Sequence, residues 1–122
     1  DGRRVRYIGV NTPEIESGKA QCFGQEAKEA NRKLVEGKPV RLVRDISETD
    51  NYRRLLRYVY VDLPARAGEP AQAGDVFVNE WLVREGFAQV STFPPDVDRA
   101  EEFLAAQESA RTASRGLWKG CP

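Results

Sequence analysis

The chain has 122 residues, enough for one compact domain with a single core. Leu, Ile, Val and Phe supply 28 of them and charged residues 31%, with 19 basic against 19 acidic groups, which is the composition of a folded protein and not of a disordered one. No apolar run approaches the roughly 18 residues that span a bilayer, and the absence of His excludes serine-histidine and cysteine-histidine hydrolases.

In chain order, Arg3 to Val10 reads as a strand with Val5, Tyr7 and Gly9 on one face and Arg4, Arg6, Ile8 and Val10 on the other. Asn11-Thr12-Pro13-Glu14 should end it, because Pro13 has no N–H and disfavours a helical Thr12. A polar loop is expected up to Phe23. From about Gly24 to Val35, Ala27, Ala30, Leu34 and Val35 recur at helical spacing, with Gly37 just beyond as a C-terminal cap. Pro39 to Ile46 and Leu55 to Asp62 read as a strand hairpin across the polar turn from Ser47 to Tyr52.

Leu63 to Gly74, rich in Pro, Ala and Gly, has the character of a surface insertion. Val78 to Arg84 should be a short helix closed by Gly86 and anchored by Trp81 and Leu82, with Phe87 to Val90 extended after it. An Asp96 or Asp98 cap then opens a last helix with Ala100, Phe103, Leu104, Gln107 and Ala110 on one stripe, after which Leu117 and Trp118 dock back on the core. The chain begins at Asp1 and contains no Met, so a native segment upstream is expected; with three visible strands, the sheet would need further strands to close.

Charge is unevenly placed. Residues 1–60 carry 13 Lys or Arg against 9 Asp or Glu, whereas residues 61–122 carry 6 against 10, so any phosphate chemistry must be local. Arginine outnumbers lysine 14 to 5, which suits bidentate contacts to phosphate or carboxylate and equally follows from a GC-rich genome. Cys22 and Cys121 are either a disulfide or two separate buried thiols. The disulfide is favoured, because a cysteine at a chain end is held firmly only by a covalent tie, and it points to an oxidising compartment.

Arg6, Asn11, Glu14 and Arg54 form the one constellation with chemistry in it. Individually, each has the ordinary reading of a solvated charge or polar group at a strand end. Together, a carboxylate past a strand end and arginines on two neighbouring strands could orient a water and neutralise a phosphoryl transition state.

Val5-Arg6-Tyr7-Ile8-Gly9-Val10-Asn11-Thr12-Pro13-Glu14 resembles the Arg-Leu-x-Gly-x-Asp-Thr-Pro-Glu signature of the staphylococcal nuclease (thermonuclease) family. The run from Asp50 to Val59 is similar to that family's Tyr-Gly-Arg strand, Val78 to Gly86 to its Val-Asn-x-x-Leu-Val-x-x-Gly helix, and Arg115-Gly116-Leu117-Trp118 to its closing block, all in the family's order. The resemblance implies an α+β fold: an OB-fold, five-stranded barrel with three helices, truncated at its first strands, spanning residues 1–122 as a single domain, with Asp1-Gly2 at a hairpin turn. It also implies a calcium-dependent phosphodiesterase that cleaves DNA or RNA and leaves a 3′-phosphate. Arg6 and Arg54 would then grip the scissile phosphate, Glu14 would position or deprotonate the attacking water, and Tyr52 would flank the nucleotide. Ca²⁺ would be held by Asn11, the backbone of Thr12 and, through water, Glu14.

Four features depart from the family pattern. The family's Asp-Gly-Asp-Thr strand, which supplies a calcium carboxylate, lies before the point where this sequence begins. Asn11 stands where an aspartate is usual, keeping an oxygen ligand but losing a charge. Arg53 takes the place of a glycine, and Ser91-Thr92-Phe93-Pro94 leaves only Phe93 as a stacking surface. The expected partner is single-stranded DNA or RNA, with no membrane, for a monomer secreted or otherwise outside the cytoplasm. The alternative is a catalytically silent module of the same fold that holds nucleic acid or a protein through Arg41, Arg44 and Arg57.

Overall fold

The structure, a computed structural model, describes residues 4–13, 15–16, 19–63 and 74–121. Glu14, the Asp1-Gly2 turn and most of the insertion expected after Leu63 lie outside the described residues. The fold is α+β. Its strands are β1 (Val5–Tyr7), β2 (Val10–Asn11), β3 (Ile15–Glu16), β4 (Lys19–Ala20), β5 (Val40–Val43), β6 (Leu55–Leu63), β7 (Gly74–Phe77) and β8 (Gln89–Val90). Its helices are α1 (Gly24–Val35), α2 (Val78–Arg84), α3 (Ala100–Thr112) and α4 (Leu117–Gly120).

The nine-residue β6 is the spine of a mixed sheet. Its first residues pair in parallel with β1, in the register Val5↔Leu55, Arg6↔Leu56, Tyr7↔Arg57. Its middle pairs antiparallel with β5, so the expected hairpin is present, with Val43 opposite Tyr58 and Val40 opposite Val61. Its end pairs antiparallel with β7, and because Tyr60 and Val61 serve both β5 and β7, those two strands lie on opposite edges. Among the described residues β1 and β5 pair with β6 alone, and the strands do not close into a barrel.

The single first strand expected from alternation is broken. Gly9 adopts φ 80°, a conformation that L side chains rarely take, and a Cβ there would lie 2.4 Å from the Phe103 ring. The chain turns at this point into β2, which leaves β6 and pairs with β8, while the Gly9 carbonyl accepts from Ser91 N–H at 2.8 Å. The loop expected before Phe23 contains a short hairpin, β3 with β4, whose pairs are Ile15↔Ala20 and Glu16↔Lys19.

α1 and α2 fall where the apolar spacing put them, and α4 adds a single turn at Leu117, which is buried. α3 begins later than expected. Asp96 is not its cap: it is buried, and its Oδ1 accepts the amides of Ile46 and Ser47 at 3.0 and 2.8 Å. The buried stripe of α3 is Phe103, Ala106 and Ala110, whereas Leu104 is 55% exposed. The core joins Ile8, Val10, Val59, Val61, Val78, Leu82, Val83 and Phe103, with α2 packed between β6 and α3. Burial of apolar side chains such as these, each stabilising by about 1.5–3 kcal/mol, holds the helices on the sheet.

Candidate active site

The parallel register of β1 on β6 decides where the two arginines stand. Arg6 is opposite Leu56, and Arg54 is the residue just before β6, two before Leu56, so the chain enters the sheet with both arginines at its mouth. Arg6, Tyr7 and Arg54 line both of two adjoining cavities, of about 570 and about 470 Å³. The larger runs from β1 and β2 to α1 and includes Asn11, Thr12, Lys28 and Asn31. The smaller runs toward Asp50, Tyr52, Phe93 and the Pro94-Pro95 corner.

Each guanidinium is oriented by its surroundings. The Arg6 Nη1 donates to the carbonyls of Tyr7 at 2.6 Å and Val10 at 2.5 Å, so the side chain straddles the Gly9 turn. The Arg54 Nε donates to the Asp50 Oδ2 at 2.7 Å. The Asp50 Oδ1 accepts the amides of Tyr52 and Arg54, both at 2.9 Å. Burial on its own would raise the Asp50 pKa, but the Arg54 amide and guanidinium and the Tyr52 amide outweigh it and hold the carboxyl below the ordinary aspartate range. The Arg54 guanidinium carbon lies 5.5 Å from the centre of the Tyr52 ring, which is itself 72% exposed. Arg53 carries the turn at φ 63°.

The structure therefore brings Arg6, Arg54, Asn11 and Thr12 to one cavity, and Arg6, Arg54 and Tyr52 to the other. Asn11 is exposed at the end of β2 and Thr12 is half-buried. Asp50 is the site residue that sequence reasoning left without a role; the signal was an acid four residues before an arginine across a turn. Tyr7 is a second, its hydroxyl donating to the Asn31 Oδ1 at 3.0 Å across the larger cavity. Burial pushes the Tyr7 phenol up, more than the Asn31 hydrogen bond lowers it.

The cations invoked for a silent binding surface are engaged elsewhere. Arg41 pairs with Asp75, and Arg44 and Arg57 both pair with Glu48. Arg57 also donates to the backbone carbonyls of Glu48 and Leu56 at 2.8 Å.

Calcium takes about six to eight oxygen ligands, usually including carboxylates. The Asn11 amide oxygen and Thr12 carbonyl are hard oxygen donors but bring no formal charge, and no group of three or more acidic, His or Cys side chains converges among the described residues. The described residues do not by themselves make a calcium site.

A family model described as Staphylococcal nuclease homologue matches residues 4–120. The chain is 30% identical to the thermonuclease of Staphylococcus hyicus over 97% of its own length and 65% of that protein. It is 31% identical to endonuclease YncB of Bacillus subtilis over 93% of its length and 50% of that protein. It is also 30% identical to the probable staphylococcal-like nuclease CAN1 of Oryza sativa subsp. japonica, over 94% of this chain and 28% of that protein. The chain thus spans between half and just under two thirds of the length of these two bacterial relatives.

Proposed function

Because the chain belongs to the staphylococcal nuclease homologue family, we propose that it is a phosphodiesterase that hydrolyses DNA or RNA, with Arg6 and Arg54 gripping the scissile phosphate. The observation that carries this reading is the shared position of the two arginines, Arg6 on β1 and Arg54 just before the neighbouring β6, both in the lining of both cavities.

Phosphoryl transfer asks a protein mainly for positioning and charge. Two planar guanidinium forks can hold the non-bridging oxygens bidentately and become more favourable as charge builds on them in the transition state. Glu14 takes the proton of the attacking water; the water oxygen bonds to phosphorus as the bond to the 5′ oxygen breaks, and that oxygen takes a proton from solvent, so that the products are a 3′-phosphate and a 5′-hydroxyl. Tyr52 covers the flanking nucleotide beside Arg54. Calcium, which the family implies, needs carboxylates beyond the described residues, and none of these steps is routed through it. The same reading takes residues 1–122 as one domain that is part of an OB-fold barrel, a monomer acting on single strands outside the cytoplasm. The disulfide between Cys22 and Cys121, 5.9 Å apart at Cα, supports that compartment.

The test is hydrolysis of a labelled single-stranded oligonucleotide, with calcium and with chelator, by the wild type, Arg6→Ala and Arg54→Ala. Each substitution should lower kcat/KM by about 10² or more. Full activity in both variants, or none in the wild type under either condition, overturns the proposal. Glu14→Gln should lower kcat with little change in KM, because the carboxylate acts on water and not on the bound phosphate.

A further inference from the structure

Arg54 is held to Asp50 through its Nε alone, while among the described residues neither of its terminal nitrogens has a hydrogen-bond partner. An arginine and carboxylate joined for stability alone commonly pair fork to fork and use up two donors. Here the carboxylate takes the one nitrogen that lies on the stem side of the guanidinium. Its other oxygen binds the Arg54 and Tyr52 amides, fixing the backbone from which the arginine springs. The turn is further closed by Asp50 N–H donating to the Arg54 carbonyl at 3.0 Å and Arg53 N–H to the Asp50 carbonyl at 3.1 Å. A bridge between Thr49 and Leu55 ties the same turn to the start of β6.

We propose that Asp50 is a positioning residue that aims Arg54, holding its guanidinium by the stem so that both terminal nitrogens face the cavity as a fork for a substrate phosphate. The inference rests on the phosphodiesterase reading for what the fork binds, but not for how the fork is held. The carboxylate is 16% exposed and Arg54 33%, so the pair is shielded enough to be ordered and open enough to be reached. The Asp50 charge also keeps the unliganded fork from being an uncompensated cation between two cavities.

Asp50→Asn separates aiming from folding. A carboxamide oxygen still accepts the two backbone amides, whereas its NH2 group cannot accept from Arg54 Nε–H. The thermal midpoint should therefore fall by only the few degrees that the lost ion pair is worth, while kcat on a single-stranded oligonucleotide falls by about tenfold to a hundredfold and KM changes less. In the Arg54→Ala background the same substitution should have no further effect. The Arg54 Nε–H resonance, shifted and protected from exchange in the wild type, should lose both properties in Asp50→Asn.

An Asp50→Asn loss of the same size with and without Arg54 would overturn the proposal, as would an unchanged Nε–H resonance. Should the wild type fail to hydrolyse, the phosphodiesterase reading falls and the two remaining measurements decide the positioning role. These are the Nε–H resonance and the affinity for the oligonucleotide, which Asp50→Asn should weaken only when Arg54 is present.

Discussion

Asn79, wholly buried on α2, donates through its carboxamide nitrogen to the carbonyl of Ile8 at 3.0 Å. Its carboxamide oxygen accepts from the Val59 amide at 2.9 Å, so one side chain ties α2 to the end of β1 and the middle of β6. Those are the strands whose register stands Arg6 beside Arg54. Replacing Asn79 by Ala leaves a buried amide and a buried carbonyl without their partner, each costing about 1–3 kcal/mol. Urea unfolding of Asn79→Ala should show a loss of about 2–4 kcal/mol. A loss under 1 kcal/mol would mean that water replaces the side chain.

Local pattern made much of this fold legible. α1 and α2 have apolar residues at helical spacing and a glycine just beyond their ends, and β5 and β6 are dense in Val, Leu and Tyr around a polar turn. β7 escaped because Gly74–Phe77 is four residues long, holds two large apolar side chains and runs straight into α2 with no turn residue between. The break at Gly9 escaped because a glycine fits strand alternation as well as a turn does, and only the Phe103 ring, far off in sequence, demands it. Asp96 looked like a helix cap because its ligands, the Ile46 and Ser47 amides, are also distant in the chain. In the site, Arg6 and Arg54 stood inside recognisable blocks; the roles of Asp50 and Tyr7 depend on side-chain contacts that spacing does not encode.

The disulfide closes almost the whole chain, its cysteines being separated by 99 positions in the sequence. In the chain-entropy account a loop of that length, by limiting the unfolded ensemble, stabilises by about 4–5 kcal/mol. Denaturant curves with and without a dithiol reductant, and with the paired Cys22→Ser and Cys121→Ser substitution, should show a loss of that order. Equal midpoints would place the anchoring of α4 in the packing of Leu117 and Trp118 instead.

Asp96 sets an acid limit on stability. Burial on its own would raise its pKa, but the backbone and hydroxyl of Ser47 and the Ile46 amide outweigh that and hold the carboxyl below the ordinary aspartate value. A folded pKa below the unfolded one means a contribution fully present above about pH 4 and lost as pH falls through the depressed value. Asp50 acts in the same direction. Asp96→Asn should cost about 1–2 kcal/mol at neutral pH and less in acid, so its stability curve is flatter below pH 4. An unchanged acid limb, measured by urea midpoint from pH 2 to 7, would assign the acid sensitivity to other carboxylates.

Arg53 holds φ 63° in the turn that carries Tyr52 and Arg54. The left-handed region costs a side-chain-bearing residue about 1–2 kcal/mol, while glycine adopts it freely at the expense of extra freedom in the unfolded chain. The balance favours Arg53→Gly by about 0.5–1 kcal/mol. Arg53 is exposed and its side chain has no ion pair or hydrogen bond among the described residues, so little is lost with it. Activity separates two effects: if the turn keeps its shape, Arg54 stays on Asp50 and kcat is unchanged while the melting temperature rises. If glycine lets the turn relax, kcat falls even though the protein is more stable, because the aim of Arg54 depends on the backbone that Asp50 pins at residues 52 and 54.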